Sequence, residues 1–123
     1  MIPLRPAWSF DATTVDATVL SGPHGVLKPE SAWGDGSGEG VRVAIVDSGI
    51  DNDHPAIAGA VKGWVEPHEA DGKLHFRTEP HGDSSGHGTA CGGIVRSLAP
   101  GVELYSIKVL GGALSGSGAA FAA

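Results

Sequence analysis

Val41-Arg42-Val43-Ala44-Ile45-Val46-Asp47-Ser48-Gly49-Ile50 is an apolar run that ends on a carboxylate. Five of the six residues before Asp47 are apolar, and three of those are Val. A near-continuous β-branched run of this kind suits a parallel strand covered on both faces. Open α/β sheets place their sites just outside the carboxyl ends of strands. Asp47 stands at such an end, and Gly49 lets the chain turn sharply after it. Taken alone, the stretch fits equally an Asp that caps an ordinary turn.

A second stretch, Ser85-Gly86-His87-Gly88-Thr89-Ala90-Cys91-Gly92-Gly93-Ile94-Val95, places His87 forty positions after Asp47. There a His flanked by glycines opens a small-residue helix. Together the two stretches resemble the subtilisin-like serine proteases, the subtilases (peptidase family S8). Ile45-Val46-Asp47-Ser48-Gly49-Ile50 with His54-Pro55 matches the family's Asp motif, and Gly86-His87-Gly88-Thr89 matches its His motif. The segments Ala32-Trp33-Gly34, Gly38 and Gly40-Val41 resemble the family upstream of the Asp strand. The resemblance implies an α/β chain: part of a three-layer fold with a mostly parallel sheet and helices on both faces. It implies that residues 28–123 are the N-terminal portion of a catalytic domain, with 1–27 as an extension of uncertain structure.

The chain has 123 residues, the size of one small domain. Its 41% hydrophobic and 18% charged residues are a globular composition. The net charge of −6, with Lys and Arg scattered, argues against nucleic acid or an anionic membrane as partner. One cysteine excludes an internal disulfide. The first residues show no signal-peptide pattern, and no apolar run is long enough to span a bilayer. If Met1 is the native start, a cytoplasmic location is expected. If upstream sequence is missing, a secretion signal belongs to it.

Thr13 to Leu20 reads as a short strand or as the tail of a longer N-terminal region. Lys28 to Trp33 reads as a short helix with Pro29 in its first turn. Val61 to Val65 reads as a strand, Pro67 to Gly72 as polar loop, and Leu74-His75-Phe76 as a strand pairing back. Asp51-Asn52-Asp53-His54 invites a metal reading, but the spacing describes a turn in which Asp and Asn bond local backbone. His68, His75 and His81 lack tight zinc-ligand spacing and read as solvated loop histidines. In the family an Asp often follows the His-Pro pair and helps bind calcium. Ala56 stands there, and only thirteen positions separate His87 from Pro100, too few for the calcium loop common after this helix. No metal and no cofactor is therefore expected.

The helix opened by His87 runs to about Leu98 and ends at Ala99-Pro100-Gly101. Its small residues make sense where a helix packs closely on a sheet. Cys91 lies at i+4 from His87, on the same face. A thiol nucleophile beside a His is a known arrangement. These two stack along one helix rather than converge across a cleft, so Cys91 reads as a small buried hydrophobe. A mercurial-sensitive subgroup of subtilases carries a cysteine at this place.

Glu103 to Leu110 reads as a further strand, followed by a Gly-rich loop. The resemblance implies that Gly116, Ser117 and Gly118 present backbone to an extended substrate peptide, since glycines leave N–H and C=O groups open to strand addition.

A Ser–His–Asp protease uses imidazole to take the serine proton and a carboxylate to orient that imidazole. Subtilases carry these groups in the chain order Asp, His, Ser. By resemblance Asp47 and His87 are the first two, and their side chains should meet within hydrogen-bonding distance. None of Ser97, Ser106, Ser115 and Ser117 has the Gly-Thr-Ser context of the family's nucleophile. The expected function is a serine endopeptidase acting on peptides or proteins, of which this chain holds the acid and the base and is inactive alone. Its partner would be the remaining half of the catalytic domain, with no nucleic acid and no membrane. The alternative is a non-catalytic pseudoprotease or peptide-binding module.

Overall fold

The structure, a computed structural model, describes residues 21–22, 25–26 and 36–123. The short helix expected at Lys28 to Trp33 and the strand expected at Thr13 to Leu20 lie outside them. The chain divides into two compact units, 1–35 and 36–123. In the first, β1 (Ser21–Gly22) pairs antiparallel with β2 (Gly25–Val26).

The second unit holds β3 (Arg42–Asp47), β4 (Val61–Ala70), β5 (Lys73–Arg77), α1 (His87–Leu98), β6 (Glu103–Lys108) and α2 (Gly118–Ala122). One sheet has the order β3-β6-β4-β5. β6 lies parallel to both β3 and β4, and β5 is antiparallel to β4. The architecture is α/β with a mostly parallel sheet. Asp47 sits at the carboxyl end of β3, in register with Lys108 of β6. Among the described residues, no helix is long and apolar enough to cross a membrane.

The core is a cluster of Ile50, Ile57, Ala60, Val61, Val102 and Leu104, with Val43, Ile45, Trp64, Val95 and Ala99 packed against it. The helix α1 rests its Gly92 surface over Ile45, Ile57 and Leu104. That covers the face of β3 that carries Val43 and Ile45. The opposite face behaves differently from the cover expected on both sides: Val46 is 47% exposed, and the strand alternates exposed and half-buried along its length. Only one face is covered among the described residues.

A second correction concerns Pro67 to Gly72, expected as loop. Residues 67–70 continue β4, and the turn is only Asp71-Gly72, both at positive φ (51° and 67°). Two left-handed residues make the tight hairpin turn whose twist matches its strands. The register pairs Ala70 with Lys73, His68 with His75 and Pro67 with Phe76. Alternation outward from the turn makes Pro67–Phe76 a pair that exchanges no backbone bonds, so proline costs this ladder no donor. His68 and His75 are thus strand residues rather than loop residues. His81 is also not solvated: it is half-buried, with Nε2 2.8 Å from the Oγ of the fully buried Ser106.

β3 and α1 meet at two glycines. Gly49 has φ 99°, and a Cβ there would overlap the Gly82 carbonyl oxygen. A Cβ at Gly88 would overlap the Gly49 carbonyl oxygen, a backbone atom that cannot swing aside. Overpacking against fixed backbone is costly. Gly88→Ala is expected to destabilise the fold by about 3 kcal/mol. Urea denaturation checks this, and an unchanged midpoint would contradict it.

Candidate active site

Two elements deliver the site. β3 ends on Asp47, and α1 begins on His87. The Nδ1–H of His87 donates to the Asp47 carboxylate, at 2.8 Å to Oδ2 and 2.9 Å to Oδ1. A carboxylate only accepts, so the proton of a neutral imidazole sits on Nδ1 and the lone pair is left on Nε2. Asp47 is further held by the Ser48 N–H, which donates to Oδ1 at 2.7 Å. The Asp47 side chain is 13% exposed and that of His87 is 55% exposed. The carboxylate is therefore shielded while the imidazole is open to a reacting group. The separation is the one the motifs called for.

What holds the two elements in register is a network built on Asp83 and Ser48, neither of which the sequence reading singled out. Ser48 is fully buried. Its hydroxyl donates to Asp83 Oδ1 at 2.6 Å and accepts from the Gly88 N–H at 3.1 Å and the Ser85 hydroxyl at 2.9 Å. One donor and two acceptors are all a hydroxyl has, so Ser48 is saturated. Asp83 Oδ1 also accepts from the N–H groups of Ser85 and Gly86. Its Oδ2 accepts from the Thr89 N–H at 2.8 Å and the Thr89 hydroxyl at 2.6 Å. Thr89 Oγ1 in turn accepts from the Asp51 N–H at 2.9 Å.

The network satisfies donors at the start of α1, where Gly86 offers no side-chain cap. It also ties that helix start to the residues just after Asp47. The carboxylate charge near the positive end of α1 is favourable in addition. The one signal for it in the sequence is an Asp in a Gly- and Ser-rich run just before a helix.

Burial alone would push the Asp83 carboxyl up. The hydrogen bonds from Ser48, Thr89 and Ser85 outweigh it and hold the group far below its ordinary 3.8. A depressed folded pKa means stability that is present above the unfolded value and lost as pH falls below about 3.8 toward the folded value. Asp83→Asn is expected to cost about 2 kcal/mol at neutral pH and to flatten the acid limb of the stability curve. Denaturant titrations from about pH 5 down to about pH 2 check both. An unaltered acid limb would contradict the assignment.

Cys91 is partly exposed rather than buried. Its Sγ lies 3.8 Å from His87 Nδ1, the nitrogen already turned to Asp47. Asp47, His87 and Cys91 each bring a ligand-type atom within 4.8 Å of the others. At Asp51-Asn52-Asp53-His54 the side chains are engaged with backbone: Asp51 Oδ1 accepts from Asp53 N–H, Asn52 Oδ1 from Val61 N–H and His54 Nδ1 from Ala56 N–H. The Asp51 and His54 bonds are local turn chemistry, while Asn52 reaches the start of β4.

After β6, the Val109 and Leu110 N–H groups donate to the Asp47 carbonyl, joining the next loop to the site strand. Gly116, Ser117 and Gly118 are exposed. No backbone hydrogen bond engages the N–H of Gly116 or Ser117 among the described residues. Ser117 Oγ caps α2 by accepting from the Ala120 N–H at 3.2 Å.

Comparison with known proteins places these features in a family context. The model of the subtilase family matches residues 38–122. A calcium-dependent protease of Trichormus variabilis is 32% identical over 111 residues, which is 84% of this chain and 16% of that protein. Thermitase of Thermoactinomyces vulgaris is 32% identical over 111 residues, 82% of this chain and 37% of that protein. Subtilisin E of Bacillus subtilis is 33% identical over 106 residues, 76% of this chain and 26% of that protein. The chain thus spans well under half the length of each of these relatives.

Proposed function

The chain belongs to the subtilase family, and from that premise we propose that it carries the acid and base of a serine endopeptidase that hydrolyses peptide bonds. The observation that carries this reading is the bond from His87 Nδ1–H to Asp47, which leaves Nε2 exposed as a proton acceptor.

In the proposed reaction a serine hydroxyl attacks the substrate carbonyl carbon and gives its proton to His87 Nε2. Asp47 stabilises the imidazolium and keeps the ring in place without itself taking the proton. The imidazolium then protonates the leaving amine, and water enters by the same route to release the acyl group.

Several of the described serines are engaged elsewhere. Ser48 is saturated by Asp83, Gly88 and Ser85, Ser97 Oγ donates to the Ile94 carbonyl, and Ser106 Oγ meets His81. None of Ser97, Ser106, Ser115 and Ser117 has the Gly-Thr-Ser context of the family's nucleophile, so the nucleophile in this proposal lies on a segment outside these 123 residues, which also supplies the oxyanion donor, and the chain alone does not turn over. Gly116, Ser117 and Gly118 are proposed to pair with the backbone of an extended peptide substrate. Their exposure supports this role, as does the lack of a backbone partner for the Gly116 and Ser117 N–H groups among the described residues.

The test joins the chain to a downstream segment carrying a Gly-Thr-Ser motif and measures peptide cleavage. Cleavage by the joined protein, with none by the chain alone, is expected. A joined, folded protein that binds peptide without cutting it would overturn the proposal in favour of a peptide-binding module.

A further inference from the structure

We propose that His68 and His75 together form a site for a borderline divalent metal ion, with Zn²⁺ as the representative. The two residues are seven positions apart in sequence, a spacing that carries no ligand pattern. The two-residue turn at Asp71-Gly72 sets them directly opposite each other on neighbouring strands. Their ring centroids are 5.5 Å apart, and the planes are inclined by 32°.

That separation matches the centroid spacing of two imidazoles that share one metal ion. A zinc–nitrogen bond of about 2.0–2.1 Å puts each ring centroid about 3.2 Å from the metal, so a tetrahedral angle sets two centroids about 5.2 Å apart. The observed value corresponds to an angle of about 118°, a small opening from tetrahedral. Imidazole is the ligand that suits zinc, nickel and copper rather than calcium or magnesium.

A second observation bears on the same pair. His68 Nδ1 is buried and has no hydrogen-bond partner among the described residues. A buried ring nitrogen without a partner is uncommon and calls for an explanation. A bound cation satisfies one nitrogen of each ring and leaves the other to donate outward.

The surroundings set the strength of the site. Alternation along the hairpin puts Glu66, His68, His75, Arg77 and Lys73 on one face. Glu66 stands opposite Arg77 and offsets its charge. Lys73 opposes any cation and weakens the site. Water is available for the remaining positions. The ion would clamp β4 to β5, and any ligand that binds only the folded hairpin raises its stability.

Stacked neutral imidazoles also occur at this separation, and the Asp47–His87–Cys91 group is a competing locus for the same ion. The experiment separates these. Zn²⁺ is titrated into the full chain against a chromogenic chelator, with His68→Gln, His75→Gln, Cys91→Ser and His54→Gln variants in parallel. His68→Gln and His75→Gln are each expected to weaken binding by about tenfold or more. Cys91→Ser and His54→Gln are expected to leave it unchanged. His75 is exposed, so its replacement tests the site even if His68→Gln disturbs the fold.

With Co²⁺ as probe, the spectrum should show nitrogen and oxygen ligation and no thiolate charge-transfer band. Zinc affinity that survives both histidine replacements, or that disappears in Cys91→Ser, would overturn the proposal.

Discussion

In the complete enzyme, His87→Ala is expected to lower kcat by about six orders of magnitude, the size of the corresponding loss in subtilisin. In the proposed reaction, removing the imidazole takes away the acceptor of the serine proton. The KM for a short peptide should change little, because the imidazole contributes mainly to the transition state rather than to ground-state binding. The side chain is 55% exposed, so the fold should persist. Loss of structure by circular dichroism would mean that the residue is a packing element and not a base. A decrease in kcat of only a few-fold would mean that proton transfer goes elsewhere.

Asp47→Asn is expected to lower kcat by about four orders of magnitude, in line with acid replacements in serine proteases including subtilisin. The cause is orientation more than charge alone. The carboxylate accepts the Nδ1–H at both oxygens, 2.9 and 2.8 Å away. A carboxamide turned with its NH₂ toward the ring would donate to Nδ1 and move the proton to Nε2, the atom that must be empty. Asp47→Glu would keep the charge but push the carboxylate into a ring that already sits at bonding distance. Steady-state kinetics on both variants, with unchanged peptide affinity, checks the assignment. Equal activity of Asp47→Asn and the parent would contradict it.

Legibility in the sequence followed the range of the interactions. The Asp strand and the His helix were readable because local pattern alone specifies them. A β-branched run ends on Asp47, and a small-residue helix runs from His87 to Leu98 with the bounds expected. The parallel pairing of β6 with β3, which closes the site strand, follows from two apolar runs separated by a helix.

The hairpin was misread at Pro67 because proline and a polar run usually mark a loop. The register places that proline where no N–H is needed. Asp71-Gly72 was the signal that outranked it. Asp83 was missed for a different reason: its partner Ser48 is 35 residues away, and nothing local announces that pairing. The exposed face of β3 shows the same limit. An apolar run says that a strand can be covered on both faces but does not say which elements cover it.

The histidines of the hairpin make the point most sharply. A seven-residue spacing is uninformative until the turn type is known, and then it becomes a cross-strand pair.

The most direct measurement is labelling of the complete enzyme with a fluorophosphonate, which bonds only to a serine made nucleophilic by a neighbouring base, followed by mass spectrometry of the modified peptide. The parent should be labelled at one serine of the segment joined to this chain, and the His87→Ala variant should not be labelled at all. Equal labelling of parent and variant, or no labelling of a folded parent, would contradict the assignment of Asp47 and His87 as the acid and base of a serine protease.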